Sequence, residues 1–253
     1  MFYDLQKASI WKRASAFLFD AILLSILSLG IALCLASILG FDNYNDSLNA
    51  SKAQYEASYG ISFDLTPDEQ AALTEEEMAI YMEANEAMNA DEQMVYAYNM
   101  VINLTLLIGT LSILAGFMVI EFAVPLMLGD GRTLGKKIFG VAVMKTNGVR
   151  INTVSLFIRT LLGKFTIETM IPLLVLFMMF WGTIGIIGPA IIITLLLVQL
   201  ALVFTSQNNA MIHDFLSSTV VVDYASQLIF PSEKALVDYQ KRIAAENAQQ
   251  QPY

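Results

Sequence analysis

Three runs of this chain are too long and too apolar for the core of a soluble domain. Ala14 to Leu39 is apolar apart from Asp20 and a few serines. Phe165 to Phe204 is one apolar block of forty residues, with Glu168 near its start. At about 1.5 Å per residue the first run crosses a ~30 Å hydrocarbon core once and the second has length for two crossings. Met100 to Leu128 supplies another, interrupted only by Asn103, Glu121 and Pro125. Trp181, Gly182, Gly185, Gly188 and Pro189 mark the turn inside the long block. Four spans are therefore expected, at 14–39, 100–128, 165–181 and 188–204. The composition is 56% hydrophobic and 15% charged, against about 45–50% and about 25% in soluble domains.

The segments between the spans differ sharply in charge. Residues 1–13 read as an amphipathic interfacial helix, with Phe2, Leu5, Ile10 and Trp11 apolar and Lys7, Lys12 and Arg13 basic. Residues 41–99 hold thirteen Asp and Glu against one basic residue, Lys52. Thr66-Pro67-Asp68-Glu69 and Thr74 to Glu77 are capping-box patterns, so this acidic insertion is expected to form short helices packed through Leu73, Met78, Tyr81 and Met82. Residues 129–164 are the basic counterpart, with Arg132, Lys136, Lys137, Lys145 and Arg150. There an alternating run closed by Asn147-Gly148 predicts a β-hairpin, and 151–164 an interfacial helix. Residues 205–253 form a polar C-terminal segment with a strand-like Val220 to Val222 and a frayed end. With the N-terminus inside, thirteen of the fourteen Lys and Arg fall on the cytoplasmic side. The positive-inside rule then puts both termini in the cytoplasm and the acidic segment outside. The expected fold is an all-α integral membrane protein: a four-helix transmembrane bundle with a short cytoplasmic β-hairpin and an acidic extracytoplasmic helical insertion.

Ionisable residues inside the spans are the candidates for chemistry, because burying each charge costs about 2.5–3.5 kcal/mol on insertion scales. Asp20 lies seven residues after Arg13, on the same helix face. Glu121 on the second span and Gln199 on the fourth fall at a similar depth, while Glu168 is expected near the surface. Such a set suggests a cytoplasm-facing site where Asp20 and Glu121 bind a cation or a proton, tuned by Arg13 or Arg159. The structural alternative pairs Asp20 with Arg13 or Arg159 to lock the bundle. His213 and Asp214 make either a pH-sensitive contact or a local turn. His213 has no second histidine or cysteine nearby, so no metal site is expected. The lone Cys34 follows Leu33 and suits neither a disulfide nor a lipoprotein anchor. Gly135-Lys136 fails as a phosphate loop, with Asp130 and Lys137 at the wrong places. No nucleophile–base pair supports an enzyme, and neither a cofactor nor nucleic acid is expected.

Three blocks together resemble the RDD family of prokaryotic membrane proteins: W-K-R-A-S-A-F-L-F-D, then G-R-T-L-G-K-K-I-F-G-V-A-V with T-N-G-V-R-I-N and Arg159 following, then I-H-D-F-L-S-S-T-V-V-V. The resemblance makes Arg13 the family's arginine and Asp20 and Asp214 its aspartates, in a domain of about 8–224 within a prokaryotic cell membrane. It leaves out the acidic insertion and the tail. Gln207 to Asn209 are uncharged where many relatives carry basic residues. The resemblance implies a role in sodium–proton exchange, as proposed for some members, or an accessory membrane protein.

Two functions follow as expectations. The first is a cation/proton antiporter or transport component that moves Na+, K+ or Li+ against H+, uses Asp20, Glu121 and Asp214, and assembles as a homo-oligomer. The second is a non-transporting scaffold or accessory protein in which Arg132, Lys136, Lys137, Lys145 and Arg150 bind anionic lipid or a partner protein. Asp214 is expected to fold back toward Arg13.

Overall fold

The computed structural model describes residues 5–250. The expectations for residues 1–4, Phe2 among them, and for the end of the chain at 251–253 lie outside the described residues. Among the described residues four helices are long and apolar enough to cross a membrane: α1 (Ile10–Leu39), a helix that starts in the acidic segment and is labelled α5 (Glu92–Met127), α7 (Thr153–Phe180) and α8 (Ile187–Thr205). The expected boundary at 100 moves back to Glu92. The interfacial helix at 151–164 and the span at 165–181 are one continuous helix, because Lys164 is buried in internal pairing instead of ending the helix at an interface. The turn between α7 and α8 is Trp181–Ile186, with Gly182 and Gly185 at positive φ, while Gly188 and Pro189 lie inside α8.

The chain divides into two compact units, residues 29–112 and residues 1–28 with 113–253. The first contains the acidic insertion: α2 (Phe41–Tyr59), α3 (Pro67–Ala71) and α4 (Glu75–Ala90). Both expected capping boxes form. The Glu69 and Glu77 main-chain N–H groups donate to the Thr66 and Thr74 hydroxyls, and the Thr66 and Thr74 N–H groups donate to the glutamates at 2.8 Å. The unit packs through Ala84, Met94 and Ala97, with Phe63 against Tyr81 and Tyr44 against Tyr96. Met82, expected on the packed side, is 65% exposed. The buried face of α4 runs through Tyr81 and Ala84 at helical spacing instead.

The second unit holds α6 (Leu134–Ile138), β1 (Val141–Lys145), α9 (Ile212–Leu216), β2 (Thr219–Asp223) and α10 (Glu233–Gln250). Here the structure corrects the hairpin. Asn147-Gly148 does make a tight turn, with Gly148 N–H donating to the Lys145 carbonyl, but its return arm contributes a single bridge between Met144 and Arg150. The partner of β1 is β2, antiparallel, with Val143 opposite Val221. Both faces of this pair are buried: Val141 and Val143 against Phe122, Phe139 and Leu156 on one side, Ala142 and Met144 against Leu5 and Ile229 on the other. A strand covered on both faces reads as a continuous apolar run, which is what Val220 to Val222 shows. The N-terminal stretch adds to the far edge of β2. Lys7 bridges Val222 and the Asp223 N–H donates to the Gln6 carbonyl, so residues 5–9 are not helical.

Candidate functional site

Two of the membrane-type helices change winding where they carry charge. Met118–Ala123 of α5 and Ile158–Met170 of α7 are π-helical. The Thr166 and Thr169 hydroxyls donate to carbonyls five residues back, Leu161 and Lys164. The wider turn places Glu121 from one helix and Arg159, Lys164 and Glu168 from the other in a single cluster. π-Segments of this kind concentrate at functional sites.

Asp20 is 2% exposed and accepts hydrogen bonds from the Thr133 hydroxyl at 2.5 Å and the Gly135 N–H at 2.8 Å. Among the described residues its only ion pair is a loose one, to Lys136 Nζ at 3.8 Å. Neither Arg13 nor Arg159 pairs with it, which corrects the structural alternative drawn from sequence. Gly135 makes the approach possible, since a Cβ there would lie 2.5 Å from the Ala16 carbonyl and 2.8 Å from Asp20 Oδ1. Glu121 is held by two ammonium groups, Lys164 at 2.5 Å and Lys136 at 3.3 Å. Lys136 also donates to the Thr133 hydroxyl at 3.1 Å. Burial pushes the Lys136 ammonium down to about 8, against the opposing pull of Glu121.

Asp214 is the centre of a second group. It accepts from Arg159, which also donates to the Thr219 hydroxyl at 2.6 Å, and it pairs with Arg13 Nη2 at 3.4 Å. The expected return of Asp214 to Arg13 is thus within side-chain reach. Arg13 Nη1 also donates to the Asn209 carbonyl at 2.9 Å. Burial alone would raise the Asp214 carboxyl, but the Arg159 guanidinium, His213 and the Met211 N–H together outweigh it and hold the group well below the usual carboxylate range. His213 does not rest on its neighbour. Its Nδ1 faces Glu168 Oε2 at 2.7 Å, and Asp214 is 3.7 Å from Nε2. Glu168 is therefore fixed by His213, not simply solvated. Burial first, then the Arg159 charge, push the His213 imidazole below its ordinary value. Gln199 accepts from the Ile212 N–H at 3.1 Å and so ties α9 to α8.

The cluster is balanced: Asp20, Glu121, Glu168 and Asp214 meet Arg13, Lys136, Arg159 and Lys164. Most of it lines a cavity of about 640 Å³ whose remaining walls, Phe17, Leu24, Phe117, Leu195 and Leu196 among them, are largely apolar. Asp20 and Glu121 line this cavity and Asp214 does not.

The residues expected to meet headgroups separate. Lys136 is buried in the cluster, and Arg132 is buried against Asp130 at 2.6 Å with its guanidinium 3.7 Å over the Tyr224 ring. Both are corrections to a headgroup-facing set: Lys136 is taken up by Asp20 and Glu121 from other elements, and Arg132 by its near neighbour Asp130 and by Tyr224. Lys137 and Arg150 are exposed and Lys145 is half-buried. Sequence reasoning missed Thr133, Thr160 and Thr219. Thr133 caps α6, and a threonine just before L-G-K-K is the signal that marks it.

No curated protein and no solved structure matches the chain. The RDD family pattern matches residues 7–218, a stretch that carries Arg13, Asp20, Arg159 and Asp214. That match spans the bulk of the sequence, and the chain belongs to the RDD family.

Proposed function

We propose that the protein exchanges a monovalent cation for a proton across a prokaryotic cell membrane, with both termini cytoplasmic, as a homo-oligomer or a component of a larger transport assembly. One observation carries the reading: Asp20 has the loosest lysine pair of the cluster, Lys136 at 3.8 Å, and it lines the cavity. Glu121 holds two lysines and Asp214 two arginines, so neither can take a cation without breaking short ion pairs. Asp20 has one loose ion pair to give up, Lys136 at 3.8 Å, beside its neutral hydrogen bonds from Thr133 and Gly135. Glu121 then acts as the resting place of Lys136, while Asp214 joins α9 to α1 and α7.

The test is proteoliposomes holding a proton gradient and a pH-sensitive dye, with Na+, K+ and Li+ added in turn. Wild type should collapse the gradient and Asp20→Asn, shown to be folded, should not. A silent wild type sinks the proposal and leaves the scaffold. That second reading draws on the exposed Lys137 and Arg150, each worth about 1 kcal/mol beside anionic lipid. It requires Lys137→Glu with Arg150→Glu to lose binding to anionic vesicles while Asp20→Asn keeps it.

A further inference from the structure

We infer that the cavity takes an organic ammonium ion bearing an apolar group, which sits against Asp20 in exchange for one proton released from Lys136. The inference rests on the exchange reading and names its substrate class.

Size comes first. About 640 Å³ is far beyond one alkali ion and lies within the roughly 300–1,000 Å³ of sites for drug-sized molecules. Coordination comes second. A dehydrated metal ion needs about six oxygens to replace its water shell. Among the described residues no three His, Cys, Asp or Glu side chains converge in that way. The cavity instead sets Asp20, whose nearest ammonium stands 3.8 Å away, in one lining with Phe17, Phe117 and leucines. An ammonium with apolar arms is solvated by such surroundings, with aromatic faces adding cation–π attraction.

Charge balance fixes the coupling. The cluster is neutral before a ligand arrives, so a bound cation would leave one buried positive charge in excess. Lys136 is the group placed to remove it. It faces Asp20 from α1, Glu121 from α5, and Arg159 and Lys164 from α7. Glu121 keeps Lys164 when Lys136 becomes a neutral amine. That amine keeps its contact with Thr133. One proton leaves Nζ as one cation binds, and the reverse step restores the pair, so total charge in the site never changes. Burial already favours the neutral amine.

The experiment uses the full chain in detergent and in proteoliposomes, with ethidium for binding and tetrapropylammonium for gradient collapse beside Na+. Wild type should bind ethidium close to tenfold more tightly at pH 7 than at pH 6, with one proton released per ethidium. Asp20→Asn should weaken binding more than tenfold. Lys136→Arg keeps the ion pairs but cannot lose its proton, so it should bind poorly at every pH. Leu195→Trp fills the cavity and should exclude ethidium. If Na+ collapses the gradient and neither organic cation acts, the exchange reading stands and this inference falls. If no cation acts, both fall. Binding unchanged in Leu195→Trp overturns the inference. So does a co-purifying phospholipid that ethidium fails to displace, or a second copy of the chain that closes the cavity.

Discussion

At Gly163 a Cβ would lie 2.4 Å from His213 Cβ and 2.6 Å from its Cα, on the backbone of α9. Neither atom can swing aside, so Gly163→Ala should cost about 1–3 kcal/mol, the usual range for overpacking, and lower the thermal midpoint in detergent. An unchanged midpoint would mean that α9 moves freely against α7. Arg159 is 3% exposed and balances an equally buried Asp214. Arg159→Met leaves that carboxylate only the longer pair to Arg13 and should destabilise by about 3–5 kcal/mol, read in the same unfolding assay. His213 gives a pH dependence. The folded chain binds its imidazole proton more weakly than the unfolded chain does, so acid favours unfolding. Its contribution is complete above about pH 6.5 and is lost as pH falls through the lowered folded value. Asp214, also depressed, adds a similar loss at still lower pH. A midpoint that drops between pH 7 and 5.5 in wild type should drop less in His213→Gln. At this scale the sequence was informative about which charges are buried, because a charge in an apolar run has nowhere else to go. It was poor on partners: Asp20 went to Thr133 and Gly135, which lie more than a hundred residues away.

Elements whose signal is local were legible in advance. The Thr66 and Thr74 capping boxes depend on residues three apart, and both formed. Thr74→Ala should cost about 1 kcal/mol, with a matching loss of helical circular dichroism on heating. Elements whose identity depends on a distant partner were not. Nothing near Val141 indicates that β2 will pair with it, and the Asn147-Gly148 turn pointed to the nearer return arm. The continuity of α7 was hidden for a related reason. Lys164 resembles a helix-end anchor until Glu121 is known to face it at 2.5 Å. The π-helical winding at 158–170 has no pattern in the sequence that we can identify, because its cause is the packing of charges from other elements.

On the scale of the whole molecule, the β-pair takes a strand from the middle of the chain, a strand after the last membrane-type helix and an edge from residues 6–8. Phe230 extends the same structure beside Val149 and Arg150. Removal of 232–253 should therefore leave the second unit folded, while a stop after Ser217 should leave β1 bare and the protein insoluble. Size-exclusion profiles of the two truncations in detergent read this directly. The approximate places of the long apolar helices were accessible from hydropathy, since apolar length is a one-dimensional property. The closure of the chain on itself is not.

That closure sets a timetable for synthesis. β1 leaves the ribosome roughly 80 residues before the strand that covers it. At about 5–20 residues per second, a bare apolar strand waits for on the order of ten seconds. Arg13 waits longer still, for 201 further residues, until Asp214 can neutralise its environment. Until then the growing chain carries an unpaired guanidinium at the membrane-type end of α1. The last stretch to be made before the tail, His213 to Asp223, is the one that completes both the charge balance and the sheet. A nascent protein that stalls before this stretch is a ready client for chaperones and membrane proteases, and one that passes it gains the ion pairs and the β1–β2 pairing together.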